Sequence, residues 1–304
     1  MSTHRRSDLL PGLFVAVSGV LWGLFWLPFR VLGEAGFAGG WASLVFYLGS
    51  MIVLIPFAIA RRRRLRAAGI GLVFTGAVAG AAFSLYATAL LMTEVVRVLL
   101  LFYLTPVWGT LLGWILLGER ITRYRGAALV LGLAGLLVIL GIEDGFPMPR
   151  NAGDWMALLA GMAWAWGSLR IYMQPEVEAF ETTFAFFAGG LLVTAVVAFL
   201  PLQANELSPA ISMLAAAWPW LVLLIGVFGI PPVLMTLWGA ARLTPGRVGI
   251  LLMGEVAVGI VSAALWSGEP FGLREVVGAT LIVGAAVVEL MQHRPAVSSG
   301  WEAP

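Results

Sequence analysis

An all-α, polytopic membrane fold of ten transmembrane helices, built as two inverted five-helix repeats, is predicted by three features of the sequence. Of 304 residues 61% are apolar and 11% charged, and the mean hydropathy is +0.96, more apolar surface than a soluble core of this size can hide. The apolar residues fall in long unbroken runs separated by Gly, Pro and charge, not in the ten-residue alternations of a membrane barrel. A Gly-Glu pair recurs at a spacing of 150 residues, as Gly118-Glu119 and Gly268-Glu269.

A bilayer core about 30 Å thick takes roughly 20 apolar residues per helix, so about ten spans use about 200 residues and leave short connections. The first five spans are placed at 10–31, 41–60, 67–91, 95–117 and 126–142, and the next five at 155–172, 182–200, 215–239, 246–267 and 271–291. The halves are residues 1–147 and 148–304. The basic N-terminus carries no signal-cleavage pattern and the first run is long enough to span, so it reads as a retained helix. All 18 basic residues are arginine. With the N-terminus inside, fourteen fall on the inner face, dominated by the run Arg61 to Arg66, and four, Arg30, Arg97, Arg150 and Arg274, on the outer. The positive-inside rule then puts both termini in the cytoplasm, in the cell inner (plasma) membrane. Trp41, Trp155, Trp218, Trp220 and Trp266 lie near span ends and suit an aromatic belt.

The same inventory limits function. There is no cysteine, and the only histidines, His4 and His293, lie in the terminal tails. No imidazole or thiolate is left inside the membrane for a metal site or a catalytic dyad, so no metal, no cofactor and no enzymatic activity are expected. A membrane-embedded enzyme would have to work with Ser, Thr and one buried Glu. The basic excess is small and sits beside the spans, which fits orientation in lipid and not nucleic acid.

Sliding the chain by 150 residues lays the fourth span on the ninth, pairing Arg97 with Arg247, Val98 with Val248, Leu101 with Leu251 and Gly109 with Gly259. Five helices per half is odd, so the second half must enter from the opposite side. Such inverted repeats have a binding site near the midplane and two conformations, each open to one side.

Two five-helix halves, Trp22-Gly23 in the first span, Leu104-Thr105-Pro106 in the fourth and Leu-Leu-Gly-Glu over 116–119 resemble the drug/metabolite transporter superfamily, specifically its ten-helix EamA-type exporters, over nearly the whole chain. The aromatic wealth is similar to that of the aromatic amino acid exporter branch. That resemblance implies export of amino acids, aromatic or bulky apolar ones preferred, and in some members of cationic dyes. A proton-coupled exporter of aromatic cations is the alternative. The ninth span carries Glu255-Val256 opposite Thr105-Pro106, which argues against a symmetric hinge.

Among ionisable residues Glu255 alone sits near a span midplane, where desolvation favours binding a proton or a substrate ammonium, one at a time. Arg97, Arg170, Arg247, Glu94 and Glu289 lie close enough to span ends to reach the interface. No second buried carboxylate is expected. Trp22, Phe83, Tyr86, Tyr103 and Trp164, on spans one, three, four and six, fall in mid-span. They are positioned to line one cavity, stacking a flat substrate and offering two phenol hydroxyls, with cation-π contact to an ammonium. Trp26, Trp108, Trp166 and Trp238 are substitutes for members of that set. Pro28, Pro106, Pro231 and Pro232 are candidate hinges, because each removes a backbone hydrogen bond. Gly76 with Gly80 and Gly109 with Gly113 form Gly-x-x-x-Gly pairs for close packing inside the bundle. Glu119 and Glu269 are expected to pair with neighbouring arginines. A small-molecule substrate and the lipid bilayer are the expected partners, and a monomer the expected state.

Overall fold

A computed structural model describes residues 9–35, 40–93, 95–140, 148–198, 211–267 and 271–291. Both termini lie outside the described residues, with His4, His293 and the expected cytoplasmic placement of the chain ends; so do Glu94, Gly268 and Glu269. The described residues form helices and no strand: α1 (Leu9–Gly23), α2 (Trp26–Glu34), α3 (Gly40–Ala60), α4 (Arg62–Met92), α5 (Val95–Phe102), α6 (Thr105–Leu117), α7 (Arg123–Leu140), α8 (Ala152–Tyr172), α9 (Ala179–Ala198), α10 (Ile211–Leu223), α11 (Ile230–Ala240), α12 (Pro245–Leu252), α13 (Gly254–Ser267) and α14 (Leu273–Met291). A π-helical stretch, Leu224–Gly229, joins α10 to α11. Eight segments, several of them helix pairs joined across a break, are long and apolar enough to cross a bilayer, as a polytopic membrane protein requires. α8, with Asp154 and three tryptophans, and α14, with Arg274, Glu275 and Glu289, are not among those eight.

Four of the predicted spans are broken, and proline explains three of the breaks. A proline ring collides with the carbonyl four residues earlier and supplies no N–H, at a cost of about 3 kcal/mol inside a helix. Four residues before Pro28 is Leu24, the first residue beyond α1; four before Pro106 is Phe102, the last residue of α5; four before Pro231 and Pro232 are Val227 and Phe228, in the π-helical stretch. Each proline therefore sits in the opening turn of the next helix, where its missing N–H costs nothing. At the α5–α6 break the stranded Phe102 carbonyl accepts from Thr105 Oγ1 at 2.5 Å. The fourth break corrects the expectation of an uninterrupted ninth span. α12 stops at Leu252 and α13 starts at Gly254, 150 residues after the α5–α6 break, with no proline. Met253 N–H turns back to Gly249 and Ile250, and Gly254, a poor helix former, lowers the cost of leaving the helix.

Arg62 to Arg66 is helical, continuous with α4 up to Gly69, whose left-handed φ of 65° bends the chain before the apolar stretch begins. Gly118, also at φ 65°, ends α6, and Glu119 N–H closes back on the Gly113 carbonyl at 3.1 Å, a left-handed helix stop that glycine alone makes cheaply.

α4 lies along α9 and α8, α7 along α14, α6 on α12, and α1 on α11 and α13. Gly76 and Gly80 take part in the first of these: a Cβ on Gly80 would come within 2.6 Å of the Phe186 carbonyl, so the pair packs the bundle internally. The largest core cluster runs from Val15 through Phe46, Tyr47, Phe186 and Phe187 to Leu224 and Leu237. Trp155, Trp218 and Trp266 are exposed, as an aromatic belt requires.

Candidate functional site

The two breaks in α5–α6 and α12–α13 meet. Tyr103 stands in the first, and Glu255 in the opening turn of α13, just after the second. The Tyr103 hydroxyl donates to Glu255 Oε1, tying one break to the other. α1 can approach this point because its Trp-Gly pair ends in glycine: a Cβ on Gly23 would stand 2.5 Å from the Glu255 carbonyl oxygen.

From Tyr103 a file of rings crosses the bundle. Phe102 lies 5.4 Å from Tyr103 between centroids, Tyr86 lies 4.5 Å from Phe102, Phe83 lies 6.5 Å from Tyr86, and Trp22 lies 5.4 Å from Phe83. The spacings and tilted planes are those of favourable aromatic pairs. Phe83 and Tyr86 share one face of α4 because they are three residues apart.

These side chains surround a cavity of ≈ 660 Å³, within the range of small-molecule sites. All six residues proposed from the sequence, Trp22, Phe83, Tyr86, Tyr103, Trp164 and Glu255, line it. The proposed hinges do not; Pro28, Pro106, Pro231 and Pro232 sit at the helix breaks around it. Of the substitutes, Trp26 lines the cavity and donates from Nε1 to Ser262 Oγ at 2.9 Å, whereas Trp166 faces outward and Trp238 packs on Phe14 and Arg242.

Sequence reasoning missed Phe25, Arg30, Thr105 and Phe186 in the lining. Phe25 is three residues from Trp22, the spacing that also joins Phe83 to Tyr86, and its ring lies 5.1 Å from that of Trp22, so this spacing could have found it. Thr105 was visible as part of the Leu-Thr-Pro motif, and Phe186 had no distinguishing signal among its neighbours.

Along α12 and α13 the lining runs from Gly249 through Leu252 and Glu255 to Ala263, about 20 Å by helical rise. Trp26 and Ser262 mark one end, where Arg30, 54% exposed in its side chain and paired with Glu34 at 3.5 Å, forms the rim. The other end is closed by α6 against α12. Glu255 and Arg30 are the acidic and basic residues among the described lining: a carboxyl group within, a guanidinium at the mouth. Such a cavity can hold a flat amphipathic molecule between rings while its polar head meets Glu255.

Glu255 is only partly buried, and other carboxylates are more deeply buried than it is, which corrects the sequence reading. Asp154, Glu181 and Glu289 are at most 2% exposed. Nor do Arg247 and Glu289 reach an interface; both are buried and paired with each other at 3.1 Å. Arg97 donates from Nη2 to Asp154 at 2.6 Å, and Glu181 pairs with Arg61 at 2.7 Å. Glu119 pairs with Arg125 at 2.8 Å, as expected of it.

Residues 10–141 and 151–291 each match the EamA-like transporter family. The biotin transporters of Escherichia coli (strain K12) and Escherichia coli O157:H7 are each 26% identical over 297 residues, covering 95% of this chain and 93% of theirs. A crystal structure shares the fold at a TM-score of 0.69, with 23% identity over 93% of this chain and 96% of that one. The chain belongs to the EamA-like transporter family, a family of small-molecule transporters and not of enzymes.

Proposed function

We propose that this protein is a ten-pass inner-membrane exporter, monomeric in the lipid bilayer with both termini in the cytoplasm, that moves amino acids with aromatic or bulky apolar side chains by alternating access. One observation carries the reading: the ≈ 660 Å³ cavity has an aromatic wall drawn from several helices, one inner carboxylate and one rim arginine. A zwitterion with a flat side chain matches that order of groups. Its ammonium meets Glu255 and the rings, its side chain stacks between Trp22, Phe83 and Tyr86, and its carboxylate points towards Arg30.

The inverted-repeat reading is supported by how helices pair. α4 packs on α8 and α9, and in the second half α10, the π-helical stretch and α11 pack on α1, α2 and α3, the reciprocal arrangement. Counting each broken pair as one span gives ten. The breaks at Pro28, Pro106 and Pro231-Pro232, with the proline-free break at Met253, are the points about which half-helices rock. Glu255 exchanges the Tyr103 hydroxyl, a proton or a substrate ammonium, which couples binding to the helix breaks.

The relatives named as biotin transporters favour a second substrate: a carboxylate-bearing metabolite without an ammonium, for which Arg30 is the anchor and Glu255 is not. Counterflow of radiolabelled solutes in proteoliposomes, over the amino acids, biotin and planar cationic dyes, separates these readings. Saturable counterflow of tryptophan or phenylalanine above that of biotin and the dyes is the expected result. A panel led by planar cations, or by biotin, replaces the amino acid reading.

A further inference from the structure

The floor of the cavity is sealed by backbone. α6 crosses α12 through glycines: a Cβ on Gly246 would stand 2.5 Å from Thr110 Oγ1, and one on Gly249 would stand 2.9 Å from Pro106 Cα. Beyond that crossing four ionisable side chains are packed together, none of them in the cavity wall. Arg125, in the first turn of α7, donates to Glu119 at 2.8 Å and to Thr244 Oγ1 at 3.2 Å, and lies 3.7 Å from Glu289 near the end of α14. Arg247 on α12 completes the set, 3.1 Å from Glu289. Arg125, Arg247 and Glu289 are at most 6% exposed. The pairs join the α6–α7 turn of the first half to α12 and α14 of the second.

A permanent joint gains little from such a composition. Withdrawing four ions from water costs about as much as their attraction returns, and well-packed apolar side chains of the same volume hold as well or better. Charge is favoured where the two surfaces part and meet water, because parted apolar faces would stay wet and adhesive while parted ions are solvated. We propose that Glu119, Arg125, Arg247 and Glu289 are the latch of the cavity's closed side, formed when α6 and α12 meet and dispersed into water when the cavity opens on that face. The latch rests on the transporter reading but not on the identity of the substrate.

The chain has no cysteine, so single thiols report cleanly. Val248, which stands in the chain between Arg247 of the latch and Gly249 of the floor and is fully buried in the core cluster with Val15 and Leu237, is the reporter. In lipid vesicles, Val248→Cys reacts with N-ethylmaleimide only when the floor opens. Replacing the quartet by apolar groups (Arg125→Met, Arg247→Met, Glu119→Leu, Glu289→Leu) is expected to slow labelling about tenfold or more, and Glu289→Gln alone, which strands two guanidinium groups, to speed it by about as much. Rates within about twofold of one another in all three backgrounds overturn the latch. A second pair of variants avoids the charges: Thr110→Cys with Gly246→Cys, oxidised across the crossing, is expected to abolish tryptophan counterflow, and reductant to restore it. Counterflow that persists in the oxidised form also overturns the latch. If tryptophan does not move while Val248→Cys labelling responds as expected, the substrate reading fails and the latch stands.

Discussion

Glutamine at position 255 separates charge from shape. Glu255→Gln removes the group that can carry a negative charge and keeps an oxygen to which Tyr103 can donate, so the tie between the α5–α6 and α12–α13 breaks survives. An ammonium loses its only ionised partner among the described cavity-lining residues. A hydrogen bond to a charged group is worth about 1.5–3 kcal/mol, and each 1.4 kcal/mol is about tenfold, so affinity for tryptophan should fall about 10- to 100-fold. Indole-3-propionate, which keeps ring and carboxylate and lacks the ammonium, should compete as well as before. Competition in counterflow against one labelled substrate measures both, and repeating it across pH tests the proton role, since the glutamine variant should lose any pH dependence of flux. Equal losses for the two ligands, or no loss for either, would refute Glu255 as the ammonium site; unchanged pH dependence would refute it as the proton site.

Truncating Trp22, Tyr86 or Tyr103 to alanine should each weaken tryptophan flux, because each opens a gap in the ring file; three unaffected variants would sink the aromatic cavity. Gly23→Ala places a methyl against the Glu255 carbonyl at 2.5 Å and against Val258 at 2.7 Å, overpacking worth about 1–3 kcal/mol that should lower the thermal unfolding midpoint in detergent by several degrees. An unchanged midpoint would mean that α1 and α13 are not in contact. Ahead of the apolar stretch of α8, burial pushes the Asp154 carboxyl up, but hydrogen bonds from Arg97, the Arg150 amide and Thr93 outweigh it and hold the carboxyl below its usual range. The stability so gained is complete above the unfolded value of about 3.9 and is lost as pH falls through the lower folded value. Asp154→Asn should therefore flatten the acid limb of a melting-temperature profile, and a limb identical to that of the parent would remove Asp154 from the account.

Much of this architecture is legible from residues alone, and the failures have physical causes. Mid-span placement selects Glu255 and the five aromatics, and all six line one cavity. Prolines mark three breaks because the ring acts on a fixed carbonyl four residues back, but Met253 carries no such sign, and Gly254 beside it is one glycine among 37. Arg247 and Glu289 mislead because distance along a helix measures depth only if the helix end faces water. Here the ends of α12 and α14 face each other and Arg125, and pairing offsets the cost of burial. Arg30 is legible as a charge near a span end, yet its place at the rim depends on the turn after Gly23, where α1 gives way to α2.

The central claim is that one cavity meets each face of the membrane in turn. Ala87, in the cavity wall on α4, can be made the only thiol of the protein by Ala87→Cys. Reaction with a membrane-impermeant maleimide, applied from one face or the other of oriented vesicles, measures access directly. Alternating access requires modification from both faces, with substrate protecting the thiol from each. Modification from a single face under every gradient and substrate tested would contradict it.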